Sequence, residues 1–341
     1  MKYSVLGSTG VKVSRICLGT ATFGVAPTAQ DADRVVGAAV DAGINFVDTA
    51  DVYGHMPVFD RPGAPADREP AEQILGRALR GRRDEMVVAT KSNGIVGLGV
   101  NDRGLSRSHI IRQVETSLRR LETDYIDLYY AHDPDPETPL EQTLAAYDDL
   151  IRDGKVRYVG LSNHPAWQVV QSLWIADDRR LQAPVAAQVK YNLVDRAAER
   201  ELGPACARFG LSIVPYAPLH GGLLADLRVL DREVSGDQRF GSAGFSEAEI
   251  ALAREVDRLA REWGLAPYQA SLAWLLSRSA VASAIVGAET VDELQANATA
   301  GDLELERAQL DALTALAVEP EAFHHSAGDG PAEPAPSDSA S

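Results

Sequence analysis

The sequence predicts an α/β protein built as one (β/α)8 barrel, a TIM barrel, entered through an N-terminal β-hairpin. Short aliphatic or β-branched runs recur about eight times, and amphipathic segments of helical spacing separate them. An open doubly wound sheet is the competing architecture, and it carries a Gly-x-Gly-x-x-Gly turn after its first strand. Here the corresponding stretch is Gly19-Thr20-Ala21-Thr22-Phe23-Gly24, whose glycines have another spacing and lead into no immediate helix.

The opening residues 3–6 and 11–13 flank Gly7-Ser8-Thr9-Gly10 and alternate as a short hairpin. Buried parallel strands are expected at 16–19, 45–48, 86–91, 126–130, 156–161, 186–190, 213–216 and 284–286. Helices are expected at 31–42, 106–121, 140–153, 197–209 and 267–276, where apolar residues return every three or four positions. Gly43 and Gly154 stand where a helix must end before the next strand. Residues 54–68 and 227–244 break the rhythm and are expected as long loops. The barrel domain is therefore expected over 1–318. Residues 319–341, rich in Pro, Ala and Ser and without Lys or Arg, are expected as a disordered acidic tail.

Bulk composition excludes several function classes. Across 341 residues the formal charge is −16, which disfavours phosphate backbones and anionic lipid, so neither nucleic acid nor membrane is expected as a partner. Cys17 and Cys206 lie far apart in apolar settings and are expected as buried thiols, with no metal implied. The N-terminal residues lack the apolar core of a signal peptide, and the expected location is cytoplasmic.

Barrel active sites lie at the C-terminal ends of strands. Three apolar runs there end in Asp48, Lys91 and His132, and Tyr53 follows the first a few residues on. This set suits hydride transfer to a carbonyl, in which charge builds on oxygen and a proton must arrive. Tyr53 is the candidate acid, and the Lys91 ammonium would lower its pKa from about 10. Asp48 would hold Lys91 charged, and His132 would donate a hydrogen bond to the carbonyl. Taken singly, each has an ordinary structural explanation: a cap, a packed ring, a solvated charge, a core histidine. Their succession at neighbouring strand ends sets them apart.

With these residues in place, the chain resembles the aldo-keto reductase family from about residue 1 to 318. Leu18-Gly19-Thr20, the stretch from Asp41 to Ala50 with Tyr53-Gly54, Ala89-Thr90-Lys91 and Tyr130-Ala131-His132 carry the likeness. The resemblance implies an NAD(P)(H)-dependent enzyme acting on an aldehyde, ketone or sugar, as carbonyl reductase or as alcohol or aldose dehydrogenase. It implies cofactor contacts from Gly19, Thr20 and Asp48, and a nicotinamide held by Ser162, Asn163 and Gln188 under the Tyr216 ring. It also implies a pyrophosphate loop through Pro218, Leu219, Gly221, Gly222 and Leu223, with Gly287, Glu289 and Asn297 toward the adenosine.

Two departures from the family pattern stand out. Glu289 occupies a position where the family usually has Arg or Lys for the 2′-phosphate of NADP. A carboxylate there costs on the order of several kcal/mol against a phosphate, yet can accept a hydrogen bond from the 2′-hydroxyl of NAD. NAD(H) is thereby favoured over the family default, NADP(H), unless Glu289 faces solvent and a neighbouring cation takes the phosphate. The long loop after Tyr53 brings Met56 and Phe59, and Trp167 joins them as a candidate substrate wall. A nucleotide-sensing interaction subunit and a Schiff-base lyase using Lys91 are the alternative functions. The physiological substrate, the direction of reaction and the choice between monomer and homo-oligomer are open at this level.

Overall fold

A computed structural model describes residues 1–56, 67–231 and 244–316. Phe59, the tail expected beyond 318, and most of the two expected long loops lie outside these residues. The hairpin pairs β1 (Tyr3–Val5) with β2 (Lys12–Ser14) antiparallel. Eight parallel strands follow: β3 (Ile16–Gly19), β4 (Phe46–Asp48), β5 (Val87–Ser92), β6 (Ile126–Ala131), β7 (Val156–Ser162), β8 (Ala186–Gln188), β9 (Ser212–Ile213) and β10 (Ala284–Gly287). They run in the order β10-β3-β4-β5-β6-β7-β8-β9. The ring closes between its two end strands: Ile213 N–H donates to Ala280 O at 2.7 Å, Ala282 N–H to Ile213 O at 3.0 Å, and Ile285 N–H to Pro215 O at 2.9 Å.

Ten α-helices accompany the strands: α1 (Ala29–Asp41), α2 (Ala71–Ala78), α3 (Arg107–Leu121), α4 (Leu140–Arg152), α5 (Ala166–Arg179), α6 (Leu202–Phe209), α7 (Glu247–Glu262), α8 (Pro267–Leu276), α9 (Val291–Thr299) and α10 (Arg307–Thr314), counted among the described residues. The single helix expected over 197–209 is a 3-10 turn at Ala197–Glu199 followed by α6. Pro204 explains the break, since proline lacks an N–H and is tolerated only in a first helical turn. β9 is also shorter than expected, because Pro215 cannot donate to a ladder.

Alternation along the strands divides the core in two. Cys17, Phe46, Ala89, Leu128, Tyr130, Ala186, Val214 and Ile285 pack together with Leu6 and Val13 of the hairpin segment, forming one apolar cluster inside the ring. The other cluster holds the alternate strand residues, such as Val47, Val88 and Tyr129, against the helices. Gly160 makes room for the Tyr130 ring, whose Cε1 would lie 2.4 Å from an added Cβ. Two residues beyond Phe46, Ala89, Tyr130 and Ala186 come Asp48, Lys91, His132 and Gln188, so the inward row turns polar at the C-terminal end of the barrel.

Candidate active site

Asp48 and Lys91 project from adjacent strands and are essentially inaccessible to solvent. Lys91 Nζ lies 2.5 Å from Asp48 Oδ1, and donates to Thr49 O at 2.8 Å and to the Tyr53 hydroxyl at 3.3 Å. All three ammonium protons are thus directed at acceptors. The other Asp48 oxygen, Oδ2, accepts from Gln188 Nε2 at 2.8 Å. The His132 ring meets Tyr53 edge-on, with centroids 5.8 Å apart and planes at 79°. The four residues expected to act together are therefore brought together.

Burial sets the protonation states. It pushes the Asp48 carboxyl up, and the Lys91 ammonium and the Gln188 amide pull it back only in part. For Lys91, burial favours the neutral amine, but Asp48 and Tyr53 outweigh it and hold the amine above its ordinary value. The 2.5 Å contact and the satisfied donors identify a charged pair. Burial lowers His132 to about 3, with Lys91 adding to the effect, so the imidazole is neutral and can donate one hydrogen bond. Tyr53 departs from expectation. Lys91 does favour its phenolate, but burial of the hydroxyl and the charge of Asp48 raise its pKa overall. The group is a phenol with a proton to give.

Above this floor opens a cleft of about 1020 Å³. Its walls include Gly19, Thr20, Asp48, Tyr53, Met56, His132, Ser162, Asn163, Gln188, Tyr216, Pro218, Leu219, Gly221, Gly222, Gly287, Glu289 and Asn297. Asn163 holds a left-handed backbone, donates from Nδ2 to His132 O at 3.1 Å and to Asp133 Oδ1 at 2.9 Å, and accepts from the Tyr216 hydroxyl at 3.0 Å. The Ser162 hydroxyl is buried without a hydrogen-bond partner among the described residues, which makes it available to a polar occupant. Two expected contacts do not reach the walls. Leu223 turns its apolar side chain into the core, and Trp167, on α5, is 59% exposed. Beyond the expected Gly287, Glu289 and Asn297, the cleft is also lined by Asp226, Arg228, Asp257, Arg261 and Tyr268, on α7, α8 and the segment before α7, which the sequence did not single out.

The cleft suits a dinucleotide: it is large, glycines are among its walls, and the Ser162 hydroxyl and the Tyr216 ring share those walls with the proton-transfer group. Residues 15–318 match the sequence model of the aldo/keto reductase family. This chain belongs to the aldo/keto reductase family. Among aldo/keto reductase relatives, the uncharacterized oxidoreductase YrpG of Bacillus subtilis is 37% identical over 314 residues, covering 90% of this chain and 93% of that protein. A probable voltage-gated potassium channel subunit beta of Oryza sativa is 33% identical, with 89% and 92% covered. Aldo-keto reductase YhdN of B. subtilis is 31% identical, with 87% of each chain covered. The family is one of oxidoreductases that use NAD(P)H. No described helix is long and apolar enough to cross a membrane.

Proposed function

We propose that this aldo/keto reductase transfers hydride between a nicotinamide cofactor and an aldehyde, ketone or sugar, with Tyr53 as general acid in reduction and base in the reverse. The observation that carries this is the Asp48–Lys91–Tyr53 chain at the cleft floor, with contacts of 2.5 and 3.3 Å, and neutral His132 beside it. The bound dinucleotide would supply the hydride. The protein's part is to orient the carbonyl through His132 and to deliver the Tyr53 proton, while Lys91, held charged by Asp48, stabilises the phenolate left behind. Ser162, Asn163, Gln188 and Tyr216 would hold the nicotinamide. Met56, at the cleft wall, would form part of the substrate surface. A reducing, cytoplasmic setting suits the buried thiols of Cys17 and Cys206.

For the cofactor we favour NAD(H). Among the described residues, the walls of the cleft carry Asp226, Asp257, Glu289 and Glu293 against Arg228 and Arg261. Each arginine shares its charge with a carboxylate, Arg228 with Asp226 at 2.5 Å and Arg261 with Asp257 at 2.7 Å. Carboxylates outnumber cations among these residues, which suits a 2′-hydroxyl that can donate to a carboxylate better than a 2′-phosphate. Parallel fluorescence titrations with NADH and NADPH test this. Tighter NADH binding is expected, and Glu289→Arg should move preference toward NADPH by roughly tenfold or more. Equal or tighter NADPH binding by the parent would overturn the assignment.

The Schiff-base alternative fits poorly, because Lys91 is fully buried and its ammonium already has three acceptors. The nucleotide-sensing alternative draws on the relatives named as potassium channel subunits. Cofactor binding without turnover across a panel of aldehydes, ketones and sugars would favour it.

A further inference from the structure

Beneath the loop that carries Tyr53, on the helix side of the barrel, lies a second cluster of polar groups. Glu72, in the first turn of α2, is completely buried. Its Oε1 accepts from the Thr90 hydroxyl at 2.7 Å, and its Oε2 from Arg120 Nη1 at 3.1 Å. Thr90 is the residue before Lys91 and faces the opposite side of β5. The same Arg120 nitrogen donates to the backbone carbonyl of Asp51 at 3.0 Å. Asp51 belongs to the short segment joining β4 to Tyr53. That segment is also gripped from α2, where Ala71 N–H donates to Tyr53 O at 2.9 Å. Gly54 lies so close to the start of α2 that an added Cβ would be 2.5 Å from Glu69 O.

Arg120 itself is held by backbone packing. An added Cβ on Gly76 would lie 2.5 Å from Arg120 O, so α2 and α3 touch without an intervening side chain. The pair thus links three elements to the turn between Asp48 and Tyr53. That turn supplies Thr49 O to Lys91 Nζ, and through Asp51 N–H it contacts Lys91 O at 3.3 Å. Nothing in the proton-transfer set touches Glu72 or the Arg120 guanidinium directly.

We propose that Glu72 and Arg120 are positioning residues for the hydride-transfer reading above: their ion pair, buried on the Glu72 side, fixes the Thr49–Tyr53 turn and thereby sets the reach between the Lys91 ammonium and the Tyr53 hydroxyl. A loosened turn lengthens a contact that is already 3.3 Å. The phenolate then loses support from the ammonium, and the hydroxyl ionises at higher pH. Placement errors of about an ångström in a reacting group lower turnover by up to about a hundredfold.

The test compares the full-length parent with Arg120→Met, Arg120→Lys, Glu72→Gln and Thr90→Val, each also built on Tyr53→Phe. Subtracting the ultraviolet phenolate titration of each Tyr53→Phe version isolates the ionisation of Tyr53 without any substrate. Reduction of 4-nitrobenzaldehyde with NADH and NADPH gives kcat, KM and the pH profile. In Arg120→Met and Glu72→Gln the Tyr53 ionisation should rise by about half a unit or more, and kcat should fall roughly tenfold to a hundredfold. KM for the cofactor should stay within about twofold. Arg120→Lys should restore most of the loss, since one nitrogen makes both contacts. Thr90→Val removes one bond and serves if Glu72→Gln does not fold, with a smaller shift of the same sign. Folded variants whose Tyr53 ionises as in the parent overturn the inference, whatever their stability. A parent that ionises as expected and binds neither cofactor overturns the hydride-transfer reading instead.

Discussion

All three donors of Lys91 end on protein oxygens, so this one side chain serves stability and chemistry together. Lys91→Met would strand Asp48 as a buried unpaired carboxylate, and urea unfolding should show a loss of about 3–5 kcal/mol. A loss below about 1 kcal/mol would mean that Asp48 takes up a proton at neutral pH, as its raised pKa permits. Tyr53→Phe removes only one long hydrogen bond and should leave stability within about 0.5–1.5 kcal/mol of the parent. Its effect belongs to turnover, where loss of the acid should lower kcat by about a hundredfold to ten-thousandfold with cofactor binding retained. Steady-state kinetics beside cofactor titration separates the two effects. Unchanged kcat would remove Tyr53 from the proton-transfer role.

At the scale of elements, strand alternation carries the site and helix approach supports it. Asp48, Lys91, His132 and Gln188 follow apolar inward residues by two positions, and that spacing is visible along the chain itself. Glu72 and Arg120 are less visible, for a physical reason. An acid in a first turn and a base in a last turn are what any solvated helix places against its dipole. Glu72 is buried against Thr90 of β5 and Arg120 of α3, where α2 and α3 come close at Gly76, and a single glycine within a helix does not announce that contact. Asp257 and Arg261 are similar: a pair four residues apart on α7 reads as surface charge until the fold sets it on the cleft. Gly76→Ala should therefore lower stability despite the better helix propensity of alanine. The added methyl presses on the Arg120 carbonyl and should cost about 1–3 kcal/mol, measurable by thermal or urea unfolding. A stabilised variant would show that the two helices separate freely.

Across the whole molecule, the barrel and its hairpin were legible because eight short runs each fit a strand between amphipathic segments. The ends of β9 and α6 were not, because proline moved them. Protonation couples this body to pH. His164 is buried, donates from Nδ1 to Ser162 O at 2.7 Å, and has its pKa lowered by burial to about 4. An unfolded histidine titrates near 6.5. Between these values the unfolded chain holds a proton that the folded chain does not, so stability is full above about pH 6.5 and declines as pH falls toward 4. The decline from this group is about 3 kcal/mol, and His132 adds to it in the same sense. Unfolding at pH 7.5, 6 and 5 should show His164→Asn losing less stability on acidification than the parent. Parallel slopes would mean that His164 is protonated in the folded chain.

The closure between β9 and β10 gives the ring a seam of few hydrogen bonds, flanked by Tyr216 and Pro218 on one side and by Ile285 and Gly287 on the other. Both flanks are walls of the same cleft. A molecule lying along that cleft is therefore a staple across the joint, and its departure leaves the barrel free to part there first. Backbone amides at Ala282 and Ile285 should exchange with deuterated solvent faster than those of β5 and β6, and slow most when the cleft is filled.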